Sequence, residues 1–142
     1  MTDSPMPGRE CPCGSAQTYA LYCGRWHAGE PAPDALALMR SRYCAYVLGH
    51  EDYLLATWHP HTRPATLDLA QAGSTAWLGL EIKRHVLDAA DRSTVEFVAR
   101  YRVAGGSAVR MHEISRFLHE HGRWFYLDGE FPAQRPADRK SS

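Results

Sequence analysis

Three cysteines, Cys11, Cys13 and Cys23, fall close together near the start of the chain in the run CPCGSAQTYALYCG. A Cys-x-Cys pair followed by Gly-Ser makes a tight turn that aims two thiolates at one point. A third thiolate ten residues on closes the loop, as in structural zinc knuckles. Zinc in such a site takes a fourth thiolate or imidazole. His27, four residues after Cys23, is the nearest candidate, and Cys44 is a second one if the helix that carries it packs on the knuckle. Two other outcomes stay open: a metal-free knuckle folded by packing of Tyr19, Leu21 and Trp26, and a disulfide. Clustering of this kind in a reducing compartment favours metal over disulfide.

A second group of residues suits a polar cavity. In the helical run MRSRYCAY, Arg40 shares an approximate face with Tyr43 and Val47 and is expected to turn inward toward a carboxylate, Glu96 or Glu113. Arg42 is expected to face solvent, and Cys44, in mid-helix, is by default a buried inert thiol. The run WHPH places Trp58 at a helix stop and offers His59 as a general base or metal ligand, with His61 two residues on. The candidate cavity residues are Arg40, Tyr43, Trp58, His59, Glu96 and Arg116, with Arg40 or Arg116 able to steady an anion. Arg42, Tyr46, Trp77, Arg100, Glu113 and Tyr126 share the right local setting.

Several motifs fail on inspection. The run HEISR lacks the second histidine of a zinc-protease helix and lies in a strand. Gly105-Gly106 belongs to a hairpin rather than a phosphate loop, so no nucleotide cofactor is expected, and there is no Gly-x-Ser-x-Gly elbow. The aromatic runs WLGL and WFYLDG read as core rather than as a base-stacking platform.

The elements that must position these groups are legible in the texture of the 142 residues. Prolines and glycines crowd residues 1–33, which excludes long regular structure there. At Asp34, an N-cap residue, a helical pattern begins with Leu36, Met39, Tyr43, Tyr46 and Val47, and Gly49 ends it. A short helix is expected from Glu51 to Trp58 and a weaker helical turn over 64–72. Four strands follow, TAWLGLEIKRHVLDA, STVEFVARYRVA, AVRMHEISRFLHE and RWFYLDG, separated by turn signals. Helices followed by a strand meander predict an α+β domain over 34–130, after a knuckle and linker over 1–33 and before a polar, mobile tail over 131–142. Alternation puts Val95, Phe97, Ala99 and Tyr101 opposite Glu96, Val98, Arg100 and Arg102, and in the next strand Met111, Glu113, Ser115 and Phe117 opposite His112, Ile114, Arg116 and Leu118. Mixed apolar and charged residues on both faces suggest one side packed on helices and the other partly covered, or a semi-polar pocket between helices and sheet.

Composition narrows the function classes. Sixteen basic residues balance sixteen acidic ones, which argues against nucleic acid and anionic lipid as partners. No apolar run approaches the roughly 20 residues of a membrane span, and the first ten residues do not resemble a signal peptide. A cytoplasmic location is expected.

CPCGSAQTYALYCG resembles the SEC-C motif, a small zinc-binding module. On that resemblance Cys11, Cys13 and Cys23 match ligand positions, while Tyr22 stands where a third cysteine belongs. A phenol is a poor zinc ligand at neutral pH, since its pKa near 10 keeps it protonated. Together with RSRYCAYVLG, TWHP, WLGL, VEFVARY, ISRF and WFYLDG, the knuckle resembles the bacterial YchJ-like family, in which a SEC-C knuckle precedes a nuclear-transport-factor-two-like domain. The resemblance implies a curved antiparallel sheet wrapped on helices around a conical cavity, and a homodimer through an open sheet face. The function expected is a binding or adaptor protein, with a partner protein on the knuckle and a small molecule in the cone. The alternative is a hydrolase or isomerase with His59 or Glu96 as base.

Overall fold

The structure, a computed structural model, describes residues 11–13, 17–65 and 75–132. The N-terminal segment folds as a 3-10 turn, Tyr19–Leu21, and a short helix α1, Cys23–His27. Helix α2, Ala35–Leu48, starts where the Asp34 carboxylate accepts the Ala37 N–H at 2.8 Å, a cap that contributes about 1 kcal/mol. It stops at Gly49, whose φ of 78° is the left-handed conformation that glycine adopts without a Cβ penalty. The helix is buried on almost every side: Ala35, Leu38, Ser41, Arg42, Cys44 and Ala45 are all covered, because α1 packs on one flank and the sheet on the other.

Helix α3, Glu51–Ala56, is two residues shorter than the sequence suggests. The Thr57 hydroxyl donates to the Tyr53 carbonyl at 2.8 Å as the helix ends. Trp58 then pairs in parallel with Tyr126 instead of continuing the helix. The His59 N–H donates to the Tyr126 carbonyl and the Tyr126 N–H to the Thr57 carbonyl, both at 2.8 Å. Proline after His59 already disfavours helix there, and the last strand offers its open edge. The helical turn expected over 64–72 lies almost wholly outside the described residues, as does nearly all of the tail.

Four antiparallel strands form a meander in the order β1-β2-β3-β4: β1 Thr75–Ala89, β2 Arg92–Val103, β3 Val109–Glu120 and β4 Arg123–Glu130. The turn between β3 and β4 is a two-residue hairpin with positive φ at both His121 (54°) and Gly122 (79°), the mirror-type turn whose twist matches its strands. Register shifts at Trp77/Gly79, Ile82/Arg84, Leu87/Ala89 and Arg116/Phe117 bend the sheet. Its inner face pairs Val95 with Ser115, Phe97 with Glu113 and Ala99 with Met111. Cys11, Cys13 and Cys23 belong to the same buried cluster as Leu38, Tyr43, Val95 and Phe117, so the knuckle and the sheet share one core.

Candidate functional site

Two groups of side chains stand out. The first is the cysteine cluster. Cys11, Cys13 and Cys23 converge with Cys44 of α2, their sulfurs all within 4.8 Å of one another. Cys13, Cys23 and Cys44 are fully buried and Cys11 nearly so, and all four are free thiols. Cys11 and Cys44 approach to 3.2 Å. Crowding sets their acidity. Cys13 opposes ionisation of Cys11, but the thiols of Cys23 and Cys44 outweigh it and hold Cys11 below the ordinary thiol range. Cys23 and Cys44 are pushed up, foremost by their contact with Cys11 and also by burial.

The donor set fits zinc. Tetrahedral thiolate ligation at about 2.3 Å gives sulfur separations of roughly 3.8 Å, so bringing four sulfurs already within 4.8 Å to that spacing takes only small shifts. An ion there would also compensate thiolates that burial otherwise disfavours. Arg40 braces the knuckle, its Nη1 donating to the Cys13 carbonyl at 2.7 Å.

The fourth member of this cluster is Cys44, where His27 was expected. His27 is occupied elsewhere: Nδ1 meets the Tyr19 hydroxyl at 2.6 Å and Nε2 the Ser41 carbonyl at 2.8 Å. Burial holds its pKa below the ordinary imidazole value. The carbonyl acceptor assigns the proton to Nε2, so Nδ1 accepts from Tyr19. His27 thus ties the knuckle to α2 by hydrogen bonds.

The second group lines a cavity of about 300 Å³ between α2 and the concave face of the sheet. Its wall is mainly Met39, Tyr43, Tyr46, Trp77, Phe97 and Met111. Arg42, Trp58, Glu113, Ser115 and Tyr126 supply the polar groups. Arg42 is only 6% exposed. Its Nη1 donates to the Leu54 carbonyl at 2.8 Å and to Thr57 Oγ1 at 2.7 Å. Its guanidinium lies over the rings of Trp58 and Tyr126, at 5.0 and 4.6 Å. Burial lowers its pKa, countered by Tyr46, Tyr126 and Glu113 nearby.

Glu113 is 7% exposed. Its Oε2 accepts from Ser115 Oγ and Tyr126 Oη, each at 2.8 Å. Burial pushes its pKa up, and those two bonds and Arg42 pull against it. The carboxyl lies against the backbone at Gly129, where a Cβ would run into it, so β4 needs a glycine at this point.

The other expected cavity residues are dispersed. Tyr43 and Trp58 line the cavity. Arg40 points to the knuckle. His59 lies behind β4, its Nε2 3.0 Å from Glu120 Oε1 and its Nδ1 accepting the His61 N–H. Glu96 pairs with His112 at 2.7 Å on the opposite face of the sheet, because alternation sends it there once Phe97 faces in. Arg116 bonds Asp128 and Glu130 among exposed groups. The geometry therefore gives no joint role to His59, Glu96, Arg40 and Arg116.

Comparison with known proteins places the chain. A family described as "YchJ, middle NTF2-like domain" matches residues 34–129. The chain belongs to the YchJ family. Curated relatives include a UPF0225 protein of Xanthomonas campestris, 58% identical over 86% of this chain and 95% of its own, and one of Bordetella pertussis, 52% identical over 92% and 98%. Among solved structures, a SEC-C motif containing protein from Rhodopseudomonas palustris has a TM-score of 0.77 at 37% identity, covering 87% of this chain and 98% of that one. Another, from Psychrobacter arcticus, has a TM-score of 0.75 at 27% identity over 88% and 84%. The YchJ-family fold is thus the α+β cone anticipated from the sequence, with a cysteine knuckle before it.

Arg42 is the cavity-lining residue that sequence reasoning placed in solvent. The available signal was Thr57 and the aromatic pair Trp58 and Tyr126, which together make a seat for a buried guanidinium. Among the described residues no helix is long and apolar enough to cross a membrane.

Proposed function

We propose that this YchJ-family chain is a cytoplasmic small-ligand-binding protein, its cone pinned to the N-terminal knuckle by a zinc ion on Cys11, Cys13, Cys23 and Cys44. The observation that carries the reading is the cavity: about 300 Å³ of largely aromatic wall with a buried arginine and a buried carboxyl converging on it. Binding sites for small molecules have this composition, an apolar enclosure with a few fixed polar groups. The zinc serves the fold. Its four ligands lie inside the shared core and hold α2, which supplies Met39, Arg42, Tyr43 and Tyr46 to the cavity. Four free thiols suit a reducing compartment.

The test uses methionine methyl groups. Met39 and Met111 line the cavity, and the chain has only two other methionines, Met1 and Met6, as internal references. In methyl-labelled protein, benzene is expected to shift Met39 and Met111 and to leave the references in place, since apolar cavities of this order admit such probes. Ala99→Leu, which fills the cavity, is expected to abolish the shifts. Absence of shifts in the parent protein, or shifts unchanged by Ala99→Leu, rejects the reading.

A further inference from the structure

The polar end of the cavity has an unusual feature. Arg42 and Glu113 are both buried and both line it, yet no ion pair joins them within 4.0 Å among the described residues. Opposite charges taken out of water ordinarily close on one another, because each alone carries a large desolvation cost. Here each is held by other anchors. Arg42 uses both Nη1 protons on Leu54 and Thr57, and no described residue accepts from its Nε or Nη2. Glu113 receives Ser115 and Tyr126 on Oε2, and no described residue donates to Oε1. The indole N–H of Trp58, which also lines the cavity, is buried without a partner among the described residues. The cavity therefore offers free donor positions on Arg42 and a free acceptor on Glu113, with the indole N–H of Trp58 buried beside them. A ligand that reaches the free positions of Arg42 and Glu113 gains hydrogen bonds to charged groups, which are stronger than those between neutral ones.

We propose that the cavity is built for a net-neutral molecule that carries a hydrogen-bond acceptor and a donor on a flat apolar body, the simplest form being an aromatic carboxamide. This rests on the ligand-binding reading above and names its ligand class. The amide oxygen accepts from Arg42, the amide N–H donates to Glu113 Oε1, and the ring packs among Tyr43, Trp77, Phe97 and Met111 beside Trp58. Neutrality follows from the lining. Arg42 and Glu113 sum to zero, and the remaining wall is too apolar to compensate another charge. A carboxylate ligand would face Glu113 and an ammonium ligand would face Arg42.

The experiment compares four molecules of one shape, phenylacetamide, phenylacetate, phenethylamine and ethylbenzene, against the full ¹⁵N-labelled chain. Binding is read from the indole N–H resonance of Trp58, assigned with Trp58→Phe. Phenylacetamide is expected to bind about tenfold or more tightly than each of the others, as hydrogen bonds to charged groups predict, and to move that resonance. Ethylbenzene binding as tightly as the amide, or either charged analogue binding more tightly, overturns the ligand class while leaving the cavity a binding site. If none of the four binds, ethylbenzene included, the binding reading itself fails. Glu113→Leu is expected to bring the ratio of amide to hydrocarbon affinity close to one while ethylbenzene still binds; an unchanged ratio overturns the role of Glu113. Should that variant not fold, the four-ligand series on the parent chain decides alone.

Discussion

Replacing Cys44 by serine separates the two candidates for the fourth metal position. The hydroxyl keeps roughly the size of the thiol and is not among the usual zinc ligands, so the variant leaves three sulfurs at the cluster. Zinc that binds only the folded chain stabilises it by mass action. At a free concentration a thousandfold above the dissociation constant this amounts to about 4 kcal/mol. For a domain of this size each kcal/mol moves the melting midpoint by roughly 3–4 °C, so a strong chelator is expected to lower the parent midpoint by roughly 12–16 °C. The assays are elemental analysis of purified protein and thermal melts with and without chelator. The parent chain is expected to hold one zinc. Cys44→Ser should hold substantially less and should lose the chelator effect. His27→Ala should melt lower, having lost its bonds to Tyr19 and Ser41, yet keep one zinc and the full chelator shift. The reverse pattern, zinc kept in Cys44→Ser and lost in His27→Ala, refutes the assignment, and a parent chain without zinc refutes the site.

Three further outcomes follow from the cavity and the sheet. Because burial raises the folded-state pKa of Glu113, its contribution to stability is present in full below the ordinary carboxyl range and is lost as pH rises through the folded value. The urea midpoint of the parent relative to Glu113→Gln should therefore fall across that window; a difference that rises with pH contradicts the sign. Gly129→Ala should cost about 1–3 kcal/mol by pushing the Glu113 carboxyl off Tyr126 and Ser115, and much less in a Glu113→Ala background, so equal costs in both backgrounds by denaturant titration argue against that contact. Arg42→Met should destabilise by about 3 kcal/mol through the orphaned Leu54 carbonyl and the lost ring contacts, whereas Arg116→Ala, an exposed pair, should cost less than about 1 kcal/mol. Similar losses for the two arginines would count against the buried role of Arg42.

Much of the fold was readable because its signals are local. Asp34 and Gly49 mark α2 by cap chemistry, and the strand limits follow from alternation and turn residues, which depend on no distant contact. Alternation also grouped Val95, Phe97 and Ala99 within one strand and Glu113 and Ser115 within the next, but which sets share a face depends on the register, which pairs Phe97 with Glu113 and Val95 with Ser115 and turns Glu96 outward. The site was less readable because α2 has no solvent face of ordinary width. Helical periodicity assigns an inside by contrast with an outside, and a helix wrapped by a knuckle on one flank and a sheet on the other offers little contrast. Arg40 and Arg42 thus exchanged expected roles: Arg40 meets the Cys13 carbonyl and Arg42 enters the cavity. His27 and Cys44 differ for a related reason. Spacing from Cys23 favours the nearer group, while the approach of Cys44 depends on how α2 docks, a tertiary fact that no local pattern encodes.

The sequence separation of thirty-three between Cys11 and Cys44 bears on the order in which the molecule is made. A chain synthesised from its N-terminus presents Cys11, Cys13 and Cys23 first, a half-cage with one open coordination position. Only when α2 has formed and swung onto the knuckle does the last thiol arrive. Completion of the cage therefore waits on tertiary assembly, and an ion held early would stay exchangeable until the helix seats. A knuckle grafted onto another protein would carry three thiols and an open corner, and would retain its ion only where the host supplied the fourth.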